Sequence, residues 1–141
     1  MKTNSYGLCP YKIKDNEFYI LLNKTSKNSN YNFFKGKIED LETPQSCAKR
    51  EFFEETGVDT NINYYEEFFS QNSKRKLIGV YLIDWSYYEE VNFSFDKKEI
   101  YSGDWIKLSP EIIFSKNQQK IFNKIFLFLK QKEMWLKHII V

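Results

Sequence analysis

Three glutamates, Glu51, Glu54 and Glu55, crowd one short stretch of the chain. On a helix turning about 100° per residue, Glu51 and Glu55 lie one turn apart on one face, with Glu54 beside them. Like charges at that spacing repel, each pair costing about 0.2–0.5 kcal/mol. They also fall near the C-terminal end of the expected helix, where the macrodipole disfavours anions. A helix that needed only solubility would do better with lysines in some of those places. A divalent cation removes the conflict, because hard carboxylate oxygens are what magnesium or manganese prefers.

The residues upstream supply the other half of the chemistry. Gly36 lets backbone approach a ligand closely, and its carbonyl is a further metal-ligand candidate. Lys35 and Lys37 flank it and are suited to hold phosphate oxygens as point charges. Arg50 is placed to pair with Glu42 or with a helix carboxylate, fixing the loop against the helix. Carboxylates, a cation and lysines together imply a phosphate-bearing substrate bridged by a metal.

The elements that must position these groups are legible in outline. Thr43 followed by Pro44 starts a helix, with Thr43 as N-cap and Pro44 in the first helical position, and Gly57 after Thr56 stops it. Ser5 to Ile13 and Glu17 to Leu22 read as strands joined by a polar turn at Lys14, Asp15 and Asn16. Tyr31 to Ile38 is aromatic and basic around Gly36. Further strands are expected at Asn63 to Gln71, Lys76 to Trp85 and Asp104 to Leu108, with Lys74, Arg75 and Lys76 read as a solvated tip in preference to a contact for distal phosphates or RNA. Glu89 to Tyr101 reads as loop, with a short extended piece at Val91 to Phe95. Ser115 to Ile140 is a long helix whose apolar stripe is Ile121, Phe122, Ile125, Phe128 and Leu129. Strands with one mid-chain and one terminal helix predict an α/β sandwich, a mixed sheet flanked by helices.

Composition narrows the function classes. The 141 residues, 42% hydrophobic and 18% aromatic, suffice for a single domain spanning 1–141 with a substantial core, and argue against disorder. A net charge of +2 is too small for a chain built as a whole to coat nucleic acid. The longest apolar runs, Phe18 to Leu22 and Ile125 to Leu129, are too short to cross a bilayer. No signal-like apolar core follows the polar start, so a cytoplasmic location is expected. Cys9 and Cys47 are too few for a disulfide framework, which fits a reduced compartment. With His138 as the single histidine, histidine-based triads and most zinc hydrolase sites are improbable.

The acidic segment resembles the Nudix box, G-x5-E-x7-R-E-U-x-E-E-x-G-U, where U is bulky and apolar. Gly36, Glu42, Arg50, Glu51, Glu54, Glu55 and Gly57 fill every fixed position, and Phe52 and Val58 fill the two U positions. Phe52 is aromatic where the family usually carries an aliphatic residue. Nine such matches by chance have odds on the order of 10⁻⁷ or less. The resemblance implies an α/β/α sandwich that hydrolyses a pyrophosphate linkage in a nucleoside diphosphate joined to a group X. It also implies Mg²⁺ or Mn²⁺ held by Glu51, Glu54, Glu55 and the Gly36 carbonyl, with Glu54 and Glu55 counted among the catalytic residues.

Tyr31 to Glu39 looks like the W-x-F-P-K-G-x-I/V-E stretch of dinucleoside polyphosphate hydrolases and messenger-RNA decapping Nudix enzymes, with Tyr31 at the Trp position and Phe34 at the Pro position. Glu99, ahead of Trp105, is similar to a Glu that serves those groups as general base or extra metal ligand. The implied substrate is a diadenosine-type polyphosphate, with RNA 5′ ends as the alternative and a non-catalytic nucleotide-binding module as the rival of another class. Lys35, Lys37 and Tyr31 are the candidate substrate contacts, Tyr31 by stacking on a base. Phe33, Phe69, Tyr81, Tyr87 and Tyr88 are further stacking candidates, although most aromatics of a small domain are core. Cys47, in the first turns of the helix, is expected to pack as a small apolar residue.

Overall fold

The computed structural model describes residues 2–88 and 91–140, apart from the side chains of Tyr87, Ile139 and Ile140. Strand β1 (Thr3–Lys14) organises the sheet. Along one edge it runs parallel to β5 (Lys76–Asp84), from Thr3 opposite Lys76 to Tyr11 opposite Asp84. The other edge is divided. Ser5 to Leu8 pair antiparallel with β3 (Phe34–Lys37), and Tyr11 to Lys14 pair antiparallel with β2 (Glu17–Lys24). Pro10 falls in the gap between the two sets of pairs, where a residue without an N–H is tolerated in a central strand. Strands β4 (Glu67–Asn72) and β6 (Ser102–Lys107) complete the order β4-β5-β1-β2-β6, with β3 beside β1.

The pleat sorts side chains to two cores. Cys9, Tyr11, Ile20, Leu22, Val80 and Leu82 face helix α2 (Gln119–Ile140), whose Ile121, Phe122, Ile125 and Leu129 are all buried. Tyr6, Leu8, Leu21, Tyr81 and Ile83 face helix α1 (Pro44–Thr56), which contributes Cys47, Ala48 and Phe52. The expected mixed sheet between helices therefore forms, with the stripe of α2 as read except that Phe128 is half-buried, its ring edge-on to Phe69. No helix among the described residues is long and apolar enough to cross a membrane.

Local chemistry sets the element ends. The Thr43 hydroxyl accepts from the Ser46 amide at 3.1 Å while the Ser46 hydroxyl accepts from the Thr43 amide at 2.9 Å, a reciprocal cap ahead of Pro44. Gly57 closes α1 at φ 76°, its amide on the Phe53 carbonyl. Asp15 and Asn16, at φ 53° and 65°, make the two-residue turn that right-twisted hairpins favour.

Besides shifts of one or two residues at other strand ends, three elements depart from expectation. The strand expected from Asn63 starts at Glu67, because Ile62–Tyr64 wind into a 3-10 turn that buries Ile62. The terminal helix starts at Gln119 rather than Ser115, since the Ser115 amide is taken by the Tyr31 carbonyl at 3.0 Å. Val91 to Phe95 forms no strand: Phe93 and Phe95 stack 5.6 Å apart against Trp85 and Phe34, while the Ser94 and Asp96 amides bond the Thr56 and Glu55 carbonyls at 2.8 and 3.0 Å. These are orphan carbonyls of the last turn of α1, so the loop serves as that helix's cap instead of joining the sheet. Glu89 and Glu90 lie outside the described residues.

Gln118 ties this frame together. Almost fully buried, it accepts from the Phe33 amide at 2.8 Å and donates to Asn32 Oδ1 at 2.9 Å. Gln118→Leu leaves a buried amide without a partner and is expected to lower unfolding stability by about 1–3 kcal/mol, measured by urea denaturation.

Candidate active site

Glu51 and Glu55 extend from α1 toward β3, and the two ends of that helix determine what they meet. Glu51 lies against Gly36: a Cβ built on Gly36 would overlap the Glu51 carboxylate, so only glycine admits it. The Gly36 carbonyl accepts from Cys47 Sγ at 3.5 Å, which gives the buried cysteine a polar contact besides its packing. Glu55 is 6% exposed, and its Oε1 is fully buried with no hydrogen-bond partner among the described residues. Burial, reinforced by Glu51 and Glu99 nearby, pushes the Glu55 carboxyl up to about 9, with Lys35 opposing the shift. Glu51 is also raised, chiefly by burial.

Arg50 gathers the other acids. Its Nε bonds Glu42 Oε2 at 2.6 Å and its Nη2 bonds Glu42 Oε1 at 2.9 Å, a two-pronged pair that selects Glu42 as the main partner. Nη1 reaches Glu51 at 2.9 Å and Glu54 at 3.2 Å, and Nη2 also donates to the Lys37 carbonyl at 3.1 Å. The loop that begins with Gly36 is thereby held onto the acidic helix. Glu54, with a side chain 54% exposed, faces outward on this clamp. Among the described residues no three acidic, cysteine or histidine side chains converge as a chelating group.

A cleft of about 320 Å³ opens beside Glu55, and Asn23, Asn32, Lys35, Glu99 and Ile100 help to line it. The structure thus brings together Lys35, Glu55 and Glu99, which are far apart in sequence. Glu99 reaches the cleft because the loop before it caps α1. Lys35 is half-buried and its ammonium is lowered, first by burial and then by Lys76. Lys37 is exposed and lies outside this lining. Tyr31 borders a separate, more open groove of about 480 Å³, where the Lys24 ammonium sits 4.8 Å over its ring. Of the other stacking candidates, Phe33 and Tyr81 are buried in the two cores, Phe69 packs on Phe128, Tyr88 lies flat on Trp85, and the Tyr87 side chain is outside the described residues. A larger cleft of about 860 Å³, bordered by Tyr64, Glu66 and Asp84, lies at the other end of β1, roughly 16 Å along the strand from Gly36.

The donors around this cleft are hard oxygens, the type Mg²⁺ and Mn²⁺ prefer, and Glu55 Oε1 is left without a partner among the described residues. Asn23 is a cleft residue that the sequence reading passes over. Its signal is a polar residue on the same face of β2 as the buried Leu21, at the end of an apolar run.

Comparison with known proteins gives the family. A family model described as NUDIX domain matches residues 6–122, and the chain belongs to the Nudix family. It is 32% identical over 124 residues to the mRNA decapping complex subunit 2 of Schizosaccharomyces pombe, covering 84% of this chain and 17% of that protein. It is 35% identical over 85 residues to the m7GpppN-mRNA hydrolase dcap-2 of Caenorhabditis elegans, covering 59% and 11%. The chain thus spans only a small part of the length of these curated relatives. The fold is shared with a C. elegans Ap4A hydrolase solved as a binary complex (TM-score 0.68, 18% identity, 92% of this chain and 98% of that one). It is shared also with the Nudix hydrolase RenU of M. smegmatis (TM-score 0.73, 10% identity, 91% and 86%). The expectation of a Nudix-type domain, drawn from the acidic segment, is borne out.

Two outcomes follow from this geometry. Gly36→Ala displaces the Glu51 carboxylate, the flexible end of a side chain, and is expected to reduce turnover by about a hundredfold while the far-ultraviolet circular dichroism stays unchanged. The Arg50 hydrogen bonds hold the Glu42 carboxyl below the ordinary carboxylate range. That contribution is complete above the ordinary range and is lost as pH falls through the lower folded value. Glu42→Gln should therefore flatten the acid limb of the stability curve, measured by denaturation from about pH 6 to about pH 3.

Proposed function

We propose that this Nudix domain is a metal-dependent pyrophosphohydrolase acting on two nucleosides joined 5′ to 5′ through a polyphosphate bridge. The observation that carries the reading is Glu55: a buried carboxyl with an orphaned oxygen, bordering one cleft with Lys35 and Glu99. In this reading Glu51, Glu54, Glu55 and the Gly36 carbonyl would hold Mg²⁺ or Mn²⁺. When bound, the cation would supply positive charge to offset that of the phosphates. Lys35 holds a phosphate oxygen from the cleft wall, and Lys37 meets the chain at its outer end. Glu99 takes the proton of the attacking water as its oxygen bonds to phosphorus and the bond to the leaving phosphate breaks. Arg50 and Glu42 keep the loop and helix in register, and Tyr31 stacks on a base.

A dinucleoside polyphosphate and a capped RNA 5′ end share that bridge, which in m7GpppN runs through three phosphates. The Tyr31 to Glu39 stretch supports a substrate from this pair, and identity above 30% to two decapping proteins favours the RNA end over the diadenosine compound. The activity is assigned to the cytoplasm, in keeping with two free buried thiols.

The test is a panel of diadenosine tetraphosphate, capped RNA, triphosphorylated RNA and ADP-ribose with Mg²⁺ or Mn²⁺, products identified by mass spectrometry. Cleavage within the bridge is expected for capped RNA or the diadenosine compound. Glu55→Gln should cut that turnover by about a hundredfold or more and abolish the rise in melting temperature on adding Mn²⁺, and Glu99→Gln should cut turnover while keeping that rise. No turnover of any compound, despite a Mn²⁺-induced stability gain, would instead establish a binding module.

A further inference from the structure

Two asparagines border the cleft beside Glu55, and they differ in how their amides are used. Asn32 is occupied: its Oδ1 accepts from Ser115 Oγ and Gln118 Nε2, both at 2.9 Å, and its Nδ2 donates to the Asn30 carbonyl at 3.2 Å. Its role is to fasten the segment before β3 to the segment before α2. Asn23 is not occupied. It is 2% exposed, and its Nδ2 is fully buried without a hydrogen-bond partner among the described residues. The backbone around it is fixed, with the Asn23 amide on the Asn32 carbonyl at 3.0 Å and the Asn32 amide on the Asn23 carbonyl at 2.8 Å. The alternation of β2 turns this side chain to the α1 face, where Leu21 is buried and Glu55 ends.

A buried amide donor left empty in the free protein costs stability. Leucine would fit the hydrophobic pattern of that face, so the amide needs a reason. The same cleft holds a second orphan, Glu55 Oε1. The two do not bond each other: the donor remains open to an oxygen of an anion, and the carboxylate to a cation. A polyphosphate carrying a divalent cation presents both partners at once. Lys35 in the same lining adds a charge of the right sign.

We propose that Asn23 is a substrate-positioning residue, whose side-chain amide donates a hydrogen bond to a non-bridging oxygen of the polyphosphate chain. The inference rests on the hydrolase reading for the identity of the chain, but it is a statement about binding and is tested as such. The probe is methylenebisphosphonate, a pyrophosphate analogue that is not cleaved, titrated calorimetrically into wild-type protein and Asn23→Leu in the presence of Mg²⁺. The variant should bind about tenfold or more weakly, the ordinary scale of a hydrogen bond to a charged group. Its melting temperature should be equal to that of wild type or higher, because an unsatisfied donor has been removed. Asn23→Ala, which cannot overfill the site, should show the same loss of affinity. A purely structural amide gives the opposite pattern, a lower melting temperature with binding intact. Wild-type binding of the analogue through Asn23 without turnover of any substrate sinks the hydrolase reading and leaves this one standing. Equal affinity in wild type and variants, failure of both variants to fold, or no binding by wild type overturns it.

Discussion

The last turn of α1 carries a carboxyl group into the interior, and the rest of the site is arranged around that cost. Glu55 has no cation beside it strong enough to keep its ordinary acidity, and burial raises its carboxyl to about 9. Helix stability alone would not retain such a group, since a buried unpaired acid is destabilising and sits at the wrong end of the dipole. What holds it there is the docking of the helix end. The Thr56 hydroxyl bonds the Phe52 carbonyl at 2.7 Å, and the backbone of Ser94 and Asp96 takes the carbonyls of Thr56 and Glu55. The loop that caps the helix also carries Glu99, so one set of backbone bonds fixes two acids relative to each other. Proteins keep local conflicts of this kind where function requires them.

The sheet supplies the opposing wall through an unusual division of labour in β1. By pairing first with β3 and then with β2 along one edge, it sets Lys35 and Gly36 alongside the end of β2 without lengthening either strand. Arg50 then bridges the remaining distance, with one guanidinium holding the loop carboxylate of Glu42, the helix acids and the Lys37 carbonyl. Lysine offers no planar fork and could not make these contacts together. The turn it stabilises, closed by the Glu39 amide on Glu42 at 2.9 Å, holds exposed Leu41 at φ 67°, a conformation leucine avoids.

The end of β2 separates two recesses. Asn23 borders the acidic cleft, while its neighbour Lys24 borders the open groove and covers one face of Tyr31. Successive side chains of a strand point to opposite faces, so a single residue step divides the polar recess from one that carries an aromatic ring and lysines.

Much of this was legible in the chain. Thr43, Pro44 and Gly57 determined where α1 begins and ends, because caps act through bonds within a few residues. The run of Glu51, Glu54 and Glu55 declared a conflict of like charges on one helix face, and the period of Ile121, Phe122, Ile125 and Leu129 declared a buried face. Tertiary structure alone decided the rest. Val91 to Phe95 has the composition of a strand, yet its aromatics gain more by stacking on Trp85 and Phe34, and the amides of Ser94 and the following Asp96 answer the carbonyls of a helix more than thirty residues away in sequence. Which partner Arg50 takes, whether Glu99 reaches Glu55, and that Asn32 is satisfied while Asn23 is not, all depend on contacts between distant segments. Spacing along a chain fixes the faces of single elements, and only packing fixes what those faces meet.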